Sequence, residues 1–137
     1  MPAEVILDTG ALVSILDRRQ DEHASCRLAY EDLDGPLVTT DSVVTEACHL
    51  LSRVPRGIEV CLEFIIESGI VVVPTTIESM KRSLVLARKY HDIPMDYADS
   101  TLVVLAEELG TDRVFTLDRR GFQAYRLQGK KTFRIIP

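Results

Sequence analysis

The chain has 137 residues, 46% hydrophobic and 27% charged, with a formal net charge of −5. A chain of that length buries roughly two-thirds of its unfolded surface in one core, so neither a metal clip nor a disulfide framework is needed for folding. The composition excludes a disordered or low-complexity protein, and the lack of any leader-like segment or long apolar run excludes membrane insertion and secretion, leaving a soluble, cytoplasmic protein as the expectation.

Neither linker nor internal repeat interrupts residues 1–137, which are expected to form a single domain. The first predicted element is a strand in "AEVILDTGAL", where Val5, Ile6 and Leu7 form the unbroken apolar run of a strand covered on both faces and Asp8 stands at its carboxyl end. Taken alone, Asp8 is as well explained as the cap of a following helix. Two helical stretches follow, "GALVSILDRR" and "DEHASCRLAYEDL", parted near Arg19 to Asp21 and closed by Gly35 and Pro36.

"PLVTT" reads as a strand, and Asp41 or Ser42 as the cap of the helix "SVVTEACHLLSR", which Pro55 and Gly57 break. "IEVCLEFIIES" is a second amphipathic helix closed by Gly69, and "IVVVP" is the most strand-like segment of all. A long helix is predicted from about Ile77 to Tyr90, then the loop "HDIPM", then a helix in "DYADSTLVVLAEELG" stopped by Gly110. "RVFTLD" and "TFRIIP" are the closing strands. Strands alternating with helices require crossovers and hence a parallel sheet, so the expected fold is a three-layer α/β/α sandwich with a central parallel sheet.

Cys26, Cys48 and Cys61 are odd in number and widely spaced. This argues against disulfides and zinc and for reduced core residues. His23, His49 and His91 have no catalytic company, His23 being expected on the surface. Charge is uneven: residues 113–137 are net +6 and residues 1–112 net −11, which predicts a basic rim beside an acidic centre.

Four acids stand at positions unlike those of ordinary surface acids. Glu46 lies beside the stripe Val43, Ala47, Leu50; Asp99 precedes Leu102, Val103 and Ala106 by helical spacing; Asp118 ends "RVFTL" as Asp8 ends "EVIL". Asp96, one turn before Asp99, reads as the cap of that helix. If Asp8, Glu46, Asp99 and Asp118 converge at about 6 Å, each ionised pair repels by roughly 3 kcal/mol at an effective dielectric near 20. Six such pairs rival the whole stability of a domain, about 5 to 15 kcal/mol. The cluster persists only if protons or a cation neutralise it, and oxygen ligands without His or Cys select Mg²⁺ or Mn²⁺.

In order and spacing, "ILDTGALVSIL", "TEACHLL", "MDYADSTLVVLAEELG" and "VFTLDRRGF" resemble the four acidic motifs of the PIN domain, and in particular the ribonuclease toxins of the VapC type. The resemblance implies a PIN-like fold whose acidic pocket binds Mg²⁺ or Mn²⁺ and hydrolyses RNA, an antitoxin partner and a homodimer. By resemblance Asp8, Glu46, Asp99 and Asp118 are the family's first to fourth acids, Asp96 an additional one, and Thr116 a supporting hydroxyl. On physical grounds Asp8 and Asp99 are the most direct metal ligands, with Glu46 and Asp118 adding ligands through water or orienting the nucleophile; the resemblance adds Asp96 as a further candidate.

A bound cation lowers the pKa of its water, which replaces a histidine base. Arg113, Arg119, Arg120 and Arg126 are candidates for drawing RNA to an anionic pocket. Phe122 and Tyr125 are read as core aromatics rather than base-stacking platforms. Two alternatives remain open. An aspartyl-phosphate phosphatase would use Asp8 as nucleophile, although a second Asp is then usual where Gly10 stands; a non-catalytic binding module would use the acids only to hold a structural cation.

Overall fold

The computed structural model describes residues 3–137. Val5–Leu7 forms β1, wholly buried, and Asp8 ends it. The same carboxylate starts α1 (Thr9–Leu16) by accepting from the Thr9 N–H at 2.8 Å, so strand end and helix cap are one residue. After α2 (His23–Glu31) come β2 (Leu37–Thr40) and α3 (Asp41–Leu50). A single 3₁₀ turn, Leu51–Arg53, leads to α4 (Gly57–Ser68) and β3 (Val71–Val73). The second half is α5 (Ile77–Lys89), α6 (Tyr97–Leu109), β4 (Arg113–Phe115), α7 (Arg119–Ala124) and β5 (Arg134–Ile136).

All the strand pairings are parallel, in the order β3-β2-β1-β4-β5, with helices flanking the sheet. From β1 the chain winds outward through β2 to β3, then returns to the other side of β1 for β4 and β5. Such a reversal leaves a crevice beyond the carboxyl ends of the two central strands, the place where open parallel sheets bind ligands. Asp8 follows one of these strands, and Thr116 and Asp118 follow the other.

α6 is the helix that closes the crevice. Ala98 through Ala106 are buried without a break, so the helix is covered all round. Its start is held by a reciprocal capping box: Asp99 N–H donates to Asp96 Oδ1 at 2.8 Å, and Asp96 N–H to Asp99 Oδ2 at 3.1 Å. Gly110, at φ +68°, ends it in the left-handed turn that favours glycine. Thr40 Oγ1 and Thr101 Oγ1 lie 2.8 Å apart, tying the end of β2 to α6.

Several local expectations are corrected. α3 is entered from Thr40, not capped by Asp41 or Ser42, and makes no side-chain cap bond, because the Thr40 hydroxyl is turned to Thr101. Leu50 is 53% exposed; the 3₁₀ turn rotates the chain so that Leu51 takes the buried place expected for it. Gly57 starts α4 instead of breaking the chain before it, and any Cβ there would collide with the Leu51 carbonyl. "IVVVP" yields an edge strand with Val71 exposed, since β-branching favours strands without saying where in a sheet they lie. The six-residue α7 was not foreseen; it is too short for a period to show.

Candidate active site

Three of the four acids come together at the crevice, with Asp96 at its border. Asp8 and Asp99 are only 6% and 9% exposed, whereas Asp96 and Asp118 face solvent. Thr116, fully buried, joins the two central strands: its hydroxyl donates to Asp8 Oδ2 at 2.5 Å and accepts the Asp118 N–H at 2.9 Å. Asp118 stands three residues beyond the end of β4, not on it, and caps α7 by accepting from the Gly121 N–H at 3.0 Å. A Cβ at Gly121 would collide with Asp118 Oδ2, so any side chain there would shift that carboxylate.

Burial dominates the electrostatics. It pushes the Asp8 carboxyl up to about 6 against the opposing Thr116 and Thr9 hydrogen bonds, with Asp118 and Asp96 adding repulsion. Asp99 is pushed up to about 8, first by burial and then by the charges of Asp8 and Asp96, while the bond from the Asp96 N–H works the other way and Asp118 adds to the rise. None of the ion pairs among the described residues involves Asp8, Asp96, Asp99 or Asp118. Asp8 and Asp99, buried, mutually repelling and without a basic partner, therefore take up protons at higher pH than ordinary carboxyls unless another positive charge replaces the proton.

The donor set fits a hard divalent ion. Among the described residues no group of three or more Asp, Glu, His or Cys side chains is placed to hold a metal ion, but Mg²⁺ asks for less: one or two carboxylates, retained waters and a substrate phosphate oxygen. Asp8 and Asp99 supply that. Next in sequence to Asp8, the Thr9 hydroxyl is buried with no hydrogen-bond partner among the described residues.

Glu46 stands apart. It is half-buried and lines an open groove of about 460 Å³ with Ser42, Thr45, His49, Asp96 and Tyr97. No hydrogen bond among the described residues links it to Asp8, Asp99 or Asp118. Of the arginines, Arg119 and Arg120 are exposed immediately after Asp118, and Arg119 donates to the Pro137 carbonyl. Arg126 caps the end of α7 by donating to the carbonyls of Gln123 at 2.6 Å and Tyr125 at 3.0 Å. Arg113 is not brought to the site: it begins β4, at the opposite end of the sheet, and binds Asp34 and the Ala3 carbonyl.

His23 is half-buried, its Nδ1 2.8 Å from the Ser14 carbonyl oxygen, while His49 and His91 are exposed. Cys26 and Cys61 are buried in the core as expected, whereas Cys48 is only half-buried. Phe122 and Tyr125 are core aromatics, also as expected. The residue missed is the polar end of Tyr125: from a ring that is 0% exposed, its hydroxyl donates to Asp99 Oδ2 at 3.5 Å. Burial and the surrounding carboxylates, Asp99 foremost, raise the phenol well above its ordinary pKa, so it stays a donor. Nothing in "FQAYRL" announces that contact, since an aromatic at an apolar helical position reads as packing.

A model of the PIN domain family matches residues 5–127. The chain is 30% identical over 135 residues to Ribonuclease VapC26 of Mycobacterium tuberculosis, covering 97% of this chain and 100% of that protein. Its fold is similar to that of Mycobacterium tuberculosis VapC20, described as a sarcin-ricin loop cleaving toxin, with TM-score 0.75, 13% identity, and coverage of 80% of this chain and 86% of that one. It is also similar to a chain of a toxin-antitoxin complex from Klebsiella pneumoniae, with TM-score 0.68, 14% identity, and coverage of 96% and 99%.

Proposed function

The chain belongs to the PIN domain family, and on that premise we propose that it is a Mg²⁺- or Mn²⁺-dependent endoribonuclease, the toxin of a toxin-antitoxin pair. The observation that carries the reading is the pair of buried carboxylates, Asp8 and Asp99, held without a basic partner at the crevice between the central strands. A divalent ion there supplies charge neutralisation and an acidified water. Asp8 and Asp99 would hold it; Asp118, solvent-facing and fixed by Gly121, would orient the attacking water. Thr116 keeps Asp8 and Asp118 in register. Asp96 and Glu46, which both line the open groove, would act through water at its border.

Arg119 and Arg120 form the rim on which RNA phosphates would rest, with Arg126 behind them; Arg113 is left out because it lies at the other end of the sheet. The antitoxin reading is supported by α4, where Ile58, Leu62 and Ile66 are exposed in one row and Glu59, Glu63 and Glu67 in the next. An amphipathic helix with a basic edge would match both rows. A homodimer is supported by the exposed face of α5, where Met80 and Leu84 share a groove of about 280 Å³ with Tyr97 of α6. No helix among the described residues is long and apolar enough to cross a membrane, and free cysteines agree with a reducing cytoplasm.

The test is to incubate purified, antitoxin-free protein with cellular RNA and Mg²⁺ or Mn²⁺ and to map the new ends. Cleavage should vanish with chelator and with Asp99→Asn. Cutting that persists in both would refute the assignment, and release of phosphate from small phosphomonoesters with RNA left intact would favour the phosphatase alternative.

A further inference from the structure

The polar end of Tyr125 has only one partner among the described residues, and that partner is a carboxylate of the site. Its ring is held rigidly: Tyr90 packs at 5.2 Å between centroids and Phe122 at 5.1 Å, both edge-on, and Phe122 is backed by Phe133 at 5.3 Å. The Tyr90 hydroxyl accepts the Arg126 N–H at 2.9 Å, which pins the backbone directly after Tyr125. The Tyr125 hydroxyl therefore has little freedom to seek another acceptor. It also lies where a Cβ on Gly121 would come within 3.0 Å of it, and the same Cβ would strike Asp118. One hydroxyl thus stands between the third and fourth acids.

Asp99 Oδ2 accepts from two directions, the Asp96 N–H and the Tyr125 O–H, while Oδ1 accepts no hydrogen bond among the described residues. We propose that Tyr125 is a positioning residue of the metal site, its phenol O–H fixing Asp99 so that Oδ1 faces the divalent ion. This rests on the metal-dependent reading above. Groups that orient a ligand from behind change metal affinity by 10- to 100-fold when removed, whereas a residue that only fills the core does not.

Tyr125→Phe removes the hydroxyl and keeps the ring contacts. Calorimetric titration of the metal-free proteins with Mn²⁺ and with Mg²⁺ should show about tenfold or greater weakening in Y125F. The variant's melting temperature without metal should be close to that of the wild type. Its cleavage of cellular RNA should recover as metal is raised, with KM for RNA unchanged. Tyr30→Phe, at a ring that packs on Phe64 and takes no part in holding Tyr125, should bind metal as the wild type does.

If Y125F does not fold, fluorine NMR of the intact chain labelled with 3-fluorotyrosine answers the same question. The Tyr125 signal, assigned by elimination with Tyr30→Phe, Tyr90→Phe and Tyr97→Phe, should move with the half-saturation read by calorimetry. Metal affinity in Y125F within twofold of wild type, or a Tyr125 signal indifferent to metal, would overturn the proposal alone. A wild type that takes up neither ion would overturn the reading beneath it and this proposal with it.

Discussion

Asp99→Asn should make the metal-free protein more stable while removing its function. In the folded chain Asp99 titrates at about 8, against an ordinary 3.8 when unfolded. Between those values the folded state binds a proton that the unfolded state does not, so stability falls as pH rises through the window and is fully present only below about 4. Over the roughly three pH units from 4 to 7, at about 1.4 kcal/mol each, the penalty reaches at most ~4 kcal/mol. The carboxyl borders a solvent-filled crevice, so about half of that, ~2 kcal/mol, is the expected gain when a neutral amide takes its place. The amide oxygen can still accept from the Asp96 N–H, so the helix cap survives.

For a chain of 137 residues a gain of that size corresponds to a rise in melting temperature of about 7 °C. Scanning calorimetry of chelator-treated protein at pH 4, 5.5 and 7 should show the variant's advantage growing with pH. Millimolar Mg²⁺ should then raise the wild type and leave the variant unmoved. A wild type that gains stability from pH 4 to 7 relative to the variant, or equal melting at pH 7, would refute the reasoning from buried repulsion.

Thr116→Val preserves shape but deletes the donor to Asp8 and the acceptor for the Asp118 N–H. It should cost about 2 kcal/mol in stability, raise the Asp8 pKa further because that bond lowers it, and shift the acid limb of the RNA-cleavage pH profile upward. Gly121→Ala should displace Asp118 and slow the cleavage step in a single-turnover assay. Arg119→Ala with Arg120→Ala should raise KM for RNA and flatten its salt dependence, with the metal titration unchanged; an unaltered salt slope would remove these residues from the RNA path.

Much of this architecture is legible in the sequence because local signals agree with the global fold. The runs "EVIL" and "RVFTL" each lead into an acid beyond the carboxyl end of a central parallel strand, Asp118 three residues past β4, and Asp96 and Asp99 carry both a capping pattern and a helical period. Glu46 is harder, because the stripe used to place it included Leu50, whose neighbour Leu51 takes the buried position once the chain tightens into a 3₁₀ turn. Arg113 misleads because counting charge over a segment ignores that a strand has two ends roughly 10 Å apart. Tyr125 is invisible because a hydroxyl's partner 26 residues away leaves no periodic trace.

The bond between Thr116 and Asp8 closes a loop of 108 residues. Because synthesis releases the amino-terminal part first, β1 exists long before the strand that completes its crevice. An unfinished chain, or one truncated anywhere before Thr116, carries Asp8 with no fourth motif opposite it. For a protein whose proposed target is RNA, the winding of the sheet thus withholds the complete acidic crevice until the last of its acids has been added.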